Sequence, residues 1–346
     1  MYLEHFSLQR HPFRMAPEDD FIYMSQQHSR AFVYMDSAVW SPEGFVVVSG
    51  EIGSGKTTLL KKLIRGLSPD LKLFHIAYTN LKSDDLFHLI VRQAGLPYED
   101  KNKVSMLLAI NDYLQQLSDQ GVPVVLAVDE AQNLSRENLE DIRMLSGLEG
   151  SGGPVMRVIL LGQPELKDSI YHIPQLAQRV KLFFHLNGLS AKETGEYIDH
   201  RLFIAGYEGD TLFDANTVQQ IFALSKGIPR LINKLCDGLM LCAYSDDRTH
   251  IVAEDLTEIR QDLMGETFMA QMESEEAAIE VAQEKSAPAP VIQQNSSGNG
   301  ANPGDEMALE RIASALERID SKLDRLVNQQ DSTPSNVKPL NPKRRN

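Results

Sequence analysis

A glycine-rich stretch at residues 50–57 has the residue types and spacing of a phosphate-binding loop. It reads Gly-Glu-Ile-Gly-Ser-Gly-Lys-Thr and matches G-x-x-x-x-G-K-[ST], between a β-branched run and a helical pattern. In such a loop glycines let backbone N–H groups surround phosphates, the lysine reaches the β- and γ-phosphates, and the threonine hydroxyl ligates Mg²⁺. We therefore predict a Mg·ATP site in which Thr57 is a metal ligand. The predicted nucleotide-binding residues of this site are Gly50, Gly53, Ser54, Gly55, Lys56, Thr57 and Thr58.

An acidic pair forms the second candidate site. Asp129 and Glu130 directly follow the apolar run 124–128, so two carboxylates stand at the carboxyl end of a predicted buried strand. In a phosphate-loop enzyme, Asp129 suits a hold on Mg²⁺, and Glu130 suits a general base that polarises the attacking water. The alternative is that both only cap a helix beginning near Leu134.

The two motifs together favour an ATP hydrolase over related classes. Guanine-nucleotide switches use Asn-Lys-x-Asp, and the nearest segment, residues 233–237, has one residue too many and lies in a predicted helix. A small-molecule kinase stays open but needs no water-activating glutamate. A module that holds ATP without turnover is hard to reconcile with Lys56, Asp129 and Glu130 all being present.

Three more polar residues are candidates for catalysis. Gln163 follows an apolar strand, where it can contact the γ-phosphate or the water, and the alternative is a turn residue. Arg230 begins a predicted helix, where a cation opposes the helix dipole, so a phosphate is a plausible partner. Arg179 precedes the last predicted strand and can reach a neighbouring subunit's nucleotide as an arginine finger, or else form a surface ion pair.

Short apolar runs that alternate with helical patterns must position these residues. The predicted strands are 45–49, 72–77, 124–128, 155–161 and 180–186, which indicates an α/β fold: a doubly wound parallel sheet with its ligands at the carboxyl ends of the strands. Residues 1–188 form the predicted nucleotide-binding core. From 189 to 263 the pattern is helical, with helices at 191–205, 215–225, 229–244 and 253–262, and predicts a small all-α lid.

The C-terminal part has a different composition. Residues 264–305 are rich in Glu, Ala, Gln, Ser, Pro and Asn and predict a disordered linker, and residues 330–346 a disordered tail. Between them, 306–329 is a predicted short coiled-coil helix, because apolar residues recur at heptad spacing. A lone helix that folds back on the globular part is an equal alternative. The heptad residues are Leu309, Ile312, Leu316, Ile319, Leu323 and Leu326.

Composition limits the partners and the location. A net charge of −14 and a pI near 5.1 argue against a surface that binds nucleic acid through its phosphates. The two cysteines, Cys236 and Cys242, suggest neither a disulfide framework nor a metal site. The first residues lack the pattern of a signal peptide, and no apolar run is long enough for a membrane span. A cytoplasmic location is the expectation.

Several motifs together resemble the ExeA/GspA-like AAA+ ATPases, which include MshM-like proteins. The likeness covers roughly residues 1–262 and includes the phosphate-binding loop, Val-Asp-Glu-Ala-Gln-Asn-Leu at 128–134, Leu-Gly-Gln-Pro-Glu-Leu at 161–166, His-Arg-Leu at 200–202 and Gly-Ile-Pro-Arg-Leu-Ile-Asn at 227–233. The resemblance implies a AAA+ module with sensor 1 at Gln163, sensor 2 at Arg230 and Arg179 acting in trans within a homo-oligomeric ring.

The same resemblance implies an ATP-driven assembly or remodelling factor for a cell-envelope machine: type II secretion, type IV or MSHA pilus biogenesis, or exopolysaccharide export. The sequence after residue 262 predicts neither the membrane span nor the peptidoglycan-binding region that follow the ATPase in ExeA. We therefore expect a protein partner, bound through residues 309–326, to recruit the chain to the inner membrane. The alternative is a DNA-associated regulator of the transposition type. A salt-titrated DNA-binding assay would distinguish this regulator from an envelope-machine factor. Adenine-pocket candidates are Phe13, Phe21 and Tyr23, with plain core packing as the alternative.

Overall fold

The structure is a computed structural model, and it describes residues 2–16, 19–41, 43–77, 79, 81, 85–97, 102–150, 153–257 and 259. Its strands are β1 (Phe45–Gly50), β2 (Lys72–Ile76), β3 (Val124–Val128), β4 (Glu149–Gly150), β5 (Gly153–Pro154), β6 (Met156–Gly162) and β7 (Leu182–Leu186). Its helices are α1 (Tyr2–His5), α2 (Gln26–Trp40), α3 (Lys56–Gly66), α4 (Asp85–Ala94), α5 (Lys103–Asp119), α6 (Arg136–Ser146), α7 (Glu165–Tyr171), α8 (Pro174–Ala177), α9 (Ala191–Ile204), α10 (Ala215–Ser225) and α11 (Pro229–Ser245). Short 3-10 turns lie at Asp19–Phe21 and Ala131–Asn133.

Five strands form one parallel sheet in the order β2-β3-β6-β1-β7. These are the five predicted strands, so the parallel α/β prediction is confirmed; the largest difference is in β7, predicted from 180 and observed from Leu182. Since parallel strands end at the same edge, the residues that follow β1, β3 and β6 lie side by side there. The phosphate-binding loop, the acidic pair and Gln163 follow those three neighbouring strands.

Helices cover both faces of the sheet because successive strand residues point to opposite sides. Val47 of β1 belongs to the apolar cluster built with α4, α5 and α6, which contains Phe87 and Ile110. Val46 and Val48 belong instead to the cluster on the other face, built with α2 and α3. Both faces of β1 are therefore buried, and the loop that follows it leaves an interior strand of the sheet.

The helices α9, α10 and α11 pack around an apolar cluster of their own, together with described residues after α11 such as Ile251 and Leu256. We call this the helical group. α10 has the predicted bounds, and α9 and α11 each differ from prediction by one residue at the C-terminal end.

The N-terminal segment, residues 2–23, packs with the helical group. Its buried side chains, among them Phe6, Phe13 and Phe21, lie in the same cluster as Ile198 and Leu235. The predicted boundaries assigned this segment to the nucleotide-binding core. The difference arises because its aromatic side chains find their apolar partners on α9 and α11, far along the chain.

The predicted linker at 264–305, the coiled-coil helix at 306–329 and the tail at 330–346 lie outside the described residues. Within the residues that the structure describes, no helix combines the length and the apolar character that crossing a membrane requires.

Candidate functional site

The phosphate-binding loop connects β1 to α3. Gly53 and Gly55 have φ angles of +84° and +103°, values at which residues with side chains are strained. Gly55 is the N-cap of α3 and offers no side-chain acceptor to the first N–H groups of that helix. The Ser54 hydroxyl is buried and has no hydrogen-bond partner. The loop thus presents unused donors at a helix N-terminus, the arrangement that binds anions.

Lys56 is folded back onto the loop. Its ammonium group donates to the carbonyl oxygens of Gly50 at 2.7 Å and Glu51 at 2.9 Å. Burial lowers the pKa of Lys56, and the nearby carboxylates of Glu130 and Asp129 oppose that shift. A cation held only by carbonyl dipoles, with two carboxylates near it, is suited to exchange those carbonyls for phosphate oxygens.

The acidic pair lies at the end of β3, as predicted. Asp129 is buried, and its carboxylate accepts the backbone N–H of Glu130 at 3.0 Å. Glu130 has φ +51° and makes no side-chain cap to the turn that follows, while α6 is capped by Ser135. The capping alternative is therefore wrong for both acids. Left-handed backbone at a residue with a side chain is uncommon and is typical of functional positions.

Gln132 connects the acidic pair to β6. Its amide nitrogen donates to the Glu130 carboxylate at 2.8 Å, and its amide oxygen accepts the backbone N–H of Gln163 at 3.0 Å. It also occupies the space that a side chain at Gly162 would fill. The two bonds fix the orientation of the amide and hold the Glu130 carboxylate.

Arg230 lies against the phosphate-binding loop. Its backbone N–H donates to the carbonyl of Gly53 at 3.3 Å, and a Cβ at Gly53 would come within 2.3 Å of the Arg230 Cβ. The turn before Arg230 also contacts the segment that leads into α9, since the backbone N–H of Leu189 donates to the carbonyl oxygen of Gly227 at 2.8 Å. Backbone contacts thus place the N-terminus of α11 directly on the loop.

Gly53→Ala is expected to weaken nucleotide binding by about tenfold or more. Left-handed backbone costs a residue with a side chain roughly 1–2 kcal/mol, and the new methyl would displace the start of α11. Titration with a fluorescent ATP analogue measures the change. Gly66→Ala is the matched control, because a Cβ there meets nothing within 4 Å, and equal affinities of the two variants would contradict the close approach.

His28 supports the loop from behind. Its ring Nε2 lies 2.9 Å from the carbonyl oxygen of Ser54, so Nε2 carries a proton and Nδ1 accepts from the Ser25 hydroxyl at 2.7 Å. Burial lowers the pKa of His28, which keeps the ring in this neutral form. The ring also fills the space next to Gly55, where a Cβ would lie 2.8 Å from Nε2.

A cavity of about 400 Å³ opens between the core, the helical group and the N-terminal segment. The predicted residues that line it are Gly53, Gly55, Lys56, Thr57, Thr58, Glu130 and Arg230. Gly50 and Asp129 lie beside it through their contacts with Lys56 and Glu130. Phe21 and Tyr23 line it, whereas Phe13 packs edge-on against Phe213 in the core of the helical group.

Gln163 and Arg179 are not among the residues that line the cavity. Gln163 approaches it only through its backbone bond to Gln132. Arg179 is exposed, and its guanidinium donates to the carbonyl of Ser146 at 3.2 Å and lies against Gly147. It therefore sits at the C-terminal end of α6 of its own chain, where a cation complements the helix dipole.

The cavity fits a magnesium nucleotide. A buried hydroxyl without a partner, two glycines with positive φ and a helix N-terminus without a side-chain cap surround the place where phosphates would lie. Oxygen ligands of the kind that Mg²⁺ prefers are present in the Thr57 hydroxyl and the Asp129 carboxylate.

Sequence reasoning assigned no role to Gln132, His28, Tyr197 or Arg201, all of which contact the site. Tyr197 and Arg201 are four residues apart and so lie on one face of α9. Polar residues on the buried face of a helix were the available signal. No local pattern in the sequence identifies the residues that these side chains contact, because those residues come from other parts of the fold.

Comparison with known proteins gives a family match and one similar curated protein. A profile described as "AAA domain" matches residues 39–170. General secretion pathway protein A of Aeromonas hydrophila is 34% identical over 260 residues, which cover 74% of this chain and 47% of that protein. The chain thus spans about half the length of this relative.

Two solved structures illustrate the likeness in fold. Cdc6p of Pyrobaculum aerophilum has a TM-score of 0.55 at 14% identity, covering 72% of this chain and 71% of that one. ORC2 of Aeropyrum pernix, solved in ADPNP–ADP complexes, has a TM-score of 0.53 at 16% identity, again covering 72% and 71%. At these identities the likeness shows the fold alone.

Proposed function

The chain belongs to the ExeA/GspA-like family of AAA ATPases, as its motifs predicted, and from this we propose that it binds Mg·ATP and hydrolyses it. The observation that carries the proposal is the convergence of Lys56, Glu130 and Arg230 on one cavity. They come from the loop after β1, the end of β3 and the start of α11, so a cation for phosphates, a base and a second cation meet where the fold binds ligands.

Each residue has a distinct task in this proposal. Lys56 and the N–H groups at the start of α3 bind the β- and γ-phosphates, and Arg230 contacts the γ-phosphate from the helical group. Glu130, held by Gln132, accepts a proton from the attacking water. Thr57 and Asp129 would hold Mg²⁺, which neutralises charge on the transferred phosphoryl group. Gln163 would act as sensor 1. It is linked to Glu130 through Gln132, whose side chain accepts the backbone N–H of Gln163 and donates to the Glu130 carboxylate.

Turnover would move the helical group as a lid. Arg230 touches both the loop and the cavity, so the contacts of its helix would depend on whether a γ-phosphate is bound. A ligand that binds one arrangement more tightly shifts the population toward it. ATP binding would thereby order the lid against the core, and hydrolysis would release it, giving two states for a bound partner.

The partner that we propose is a component of a cell-envelope machine, on the cytoplasmic side of the inner membrane. The name of the Aeromonas hydrophila relative, General secretion pathway protein A, supports a secretion machine. Pilus biogenesis and polysaccharide export are the other machines that the resemblance of the motifs implies. Residues 309–326 would bind the partner. The chain would assemble as a homo-oligomeric ring in which Arg179 of one subunit completes the neighbour's site. The fold neighbours carry no argument for the DNA-associated alternative.

The direct test is the rate of phosphate release from Mg·ATP, measured per subunit over a range of protein concentrations. For a site shared between subunits the rate per subunit rises with concentration as the ring assembles. Sedimentation under the same conditions would show the oligomer forming over that range. A measurable rate that is independent of concentration and is not lowered by Arg179→Ala would leave the ATPase activity in place and rule out the ring.

A further inference from the structure

The wall of the cavity beyond the phosphate-binding loop is formed by the N-terminal segment. Arg14, Met15 and Ala16 line it, followed by Phe21, Ile22 and Tyr23. None of these residues belongs to the sheet or to the helices that cover its two faces. The segment packs in the apolar cluster of the helical group, so this wall and the loop rest on different parts of the chain.

Arg201 ties this wall to α9. Its side chain is 7% exposed, and its Nε donates to the carbonyl of Pro12. One Nη donates to the carbonyl of Arg14 at 3.4 Å, and the other to the hydroxyl of Tyr197 at 2.9 Å. Each nitrogen of the guanidinium therefore bonds to a neutral oxygen, and two of those oxygens are backbone atoms that fix the path of residues 12–14.

The second half of the wall is held by the same helix. The guanidinium of Arg201 lies 4.8 Å from the centre of the Phe21 ring. Tyr23 packs edge-on against Tyr197 and donates its hydroxyl to Glu196 at 2.6 Å. Both stretches of the wall, on either side of residues 17–20, are thus attached to α9.

The chemistry of the wall suits the nucleoside end of a nucleotide. With phosphates held at Lys56 and Thr57, the rest of the molecule would extend along the cavity toward Met15, Ala16 and Ile22, which are apolar. A flat heterocyclic base is bound by such surfaces together with a few polar groups. The triphosphate end, by contrast, would be held by the loop of the parallel sheet.

We propose that Arg201 is the positioning residue of this wall: by holding residues 12–14 and the Phe21 ring against α9, it sets the surface on which the base of ATP rests. The proposal rests on the function proposed above, that the chain binds ATP. ATP then bridges two parts of the protein, the core through its phosphates and the lid through its base. A ligand that lacks the base would occupy the loop without drawing on Arg201.

The test compares Mg·ATP with inorganic Mg·tripolyphosphate, which has the phosphates and no base, by calorimetric titration of the full chain. For Arg201→Lys we expect the Kd for ATP to rise about tenfold, since lysine cannot reproduce the separate bonds to Pro12, Arg14 and Tyr197. The Kd for tripolyphosphate should stay at the wild-type value. Tripolyphosphate binding also reports that the loop of the variant is folded.

Arg10→Ala is the matched control. Arg10 also lies over the Phe21 ring, at 4.7 Å, but it is partly exposed, pairs with Asp20 and does not line the cavity. Both affinities should be unchanged in this variant. Tyr197→Phe is the second test variant, because it keeps the ring and removes one acceptor of Arg201, and it should weaken ATP alone by a smaller factor.

Equal losses for ATP and tripolyphosphate in Arg201→Lys, or no loss for either, would overturn the proposal. The proposal would also be overturned if the wild-type protein bound ATP no more tightly than tripolyphosphate, because the base would then contribute no affinity. Failure of the wild type to bind ATP at all is a different result, since it would contradict the proposed function itself.

Discussion

Replacing Glu130 by glutamine is expected to lower kcat for ATP hydrolysis by about 10²- to 10⁴-fold, the contribution of a positioned general base. Glutamine has the same size and keeps an oxygen that can accept the bond from the Gln132 amide, so the local geometry is preserved. What it removes is the ability to take a proton from water. The Kd for ATP, measured by calorimetric titration, should change little, and phosphate release measures the loss of turnover.

Glu137→Gln is the control for the change of charge. Glu137 lies on the same stretch of chain, in the first turn of α6, and is exposed. Its kcat should equal that of the wild type. If Glu130→Gln retained wild-type turnover, the base would have to be another residue, and the assignment of the acidic pair would be wrong.

The sheet was predictable because its signals are local. β1 begins with the apolar run 45–48 and β3 is apolar throughout, and every residue of both strands is buried, as strands covered on both faces require. The phosphate-binding loop and the acidic pair followed from their place directly after those runs. A helix start such as that of α9 is also a local signal, since Ser190 and Glu193 form the capping box that their spacing predicted.

The remainder of the site depends on contacts between distant residues. Arg201 meets the carbonyl of Pro12 across 189 positions, and His28 meets Ser54 across 26. The packing of the N-terminal segment with the helical group could not be read from the sequence for the same reason. Its aromatic residues indicate that it is buried, but their order in the sequence does not say against which helices.

The structure of a single chain gives the least support to the proposed arginine-finger role of Arg179, so that role depends most on experiment. We expect Arg179→Ala to lower kcat about a thousandfold, since an arginine finger contributes 10³–10⁵ to phosphoryl transfer. Its bond to the Ser146 carbonyl is partly buried, and loss of one such bond costs about 1 kcal/mol of folding stability. Thermal unfolding should therefore differ little from the wild type, and a large loss of kcat would reflect the active site.

Mixing Arg179→Ala with Glu130→Gln is expected to restore activity that neither variant has alone. In a ring with head-to-tail contacts, a subunit with an intact Glu130 can receive Arg179 from its Glu130→Gln neighbour, so about a quarter of the sites are complete in an equal random mixture. Steady-state phosphate release after mixing measures the recovery. Lys56→Ala in place of Arg179→Ala should give no recovery, because Lys56 lines the same cavity as Glu130 and one subunit must supply both. If the Arg179→Ala mixture stays inactive while its subunits co-assemble, each subunit uses its own residues and Arg179 has only its contact with α6.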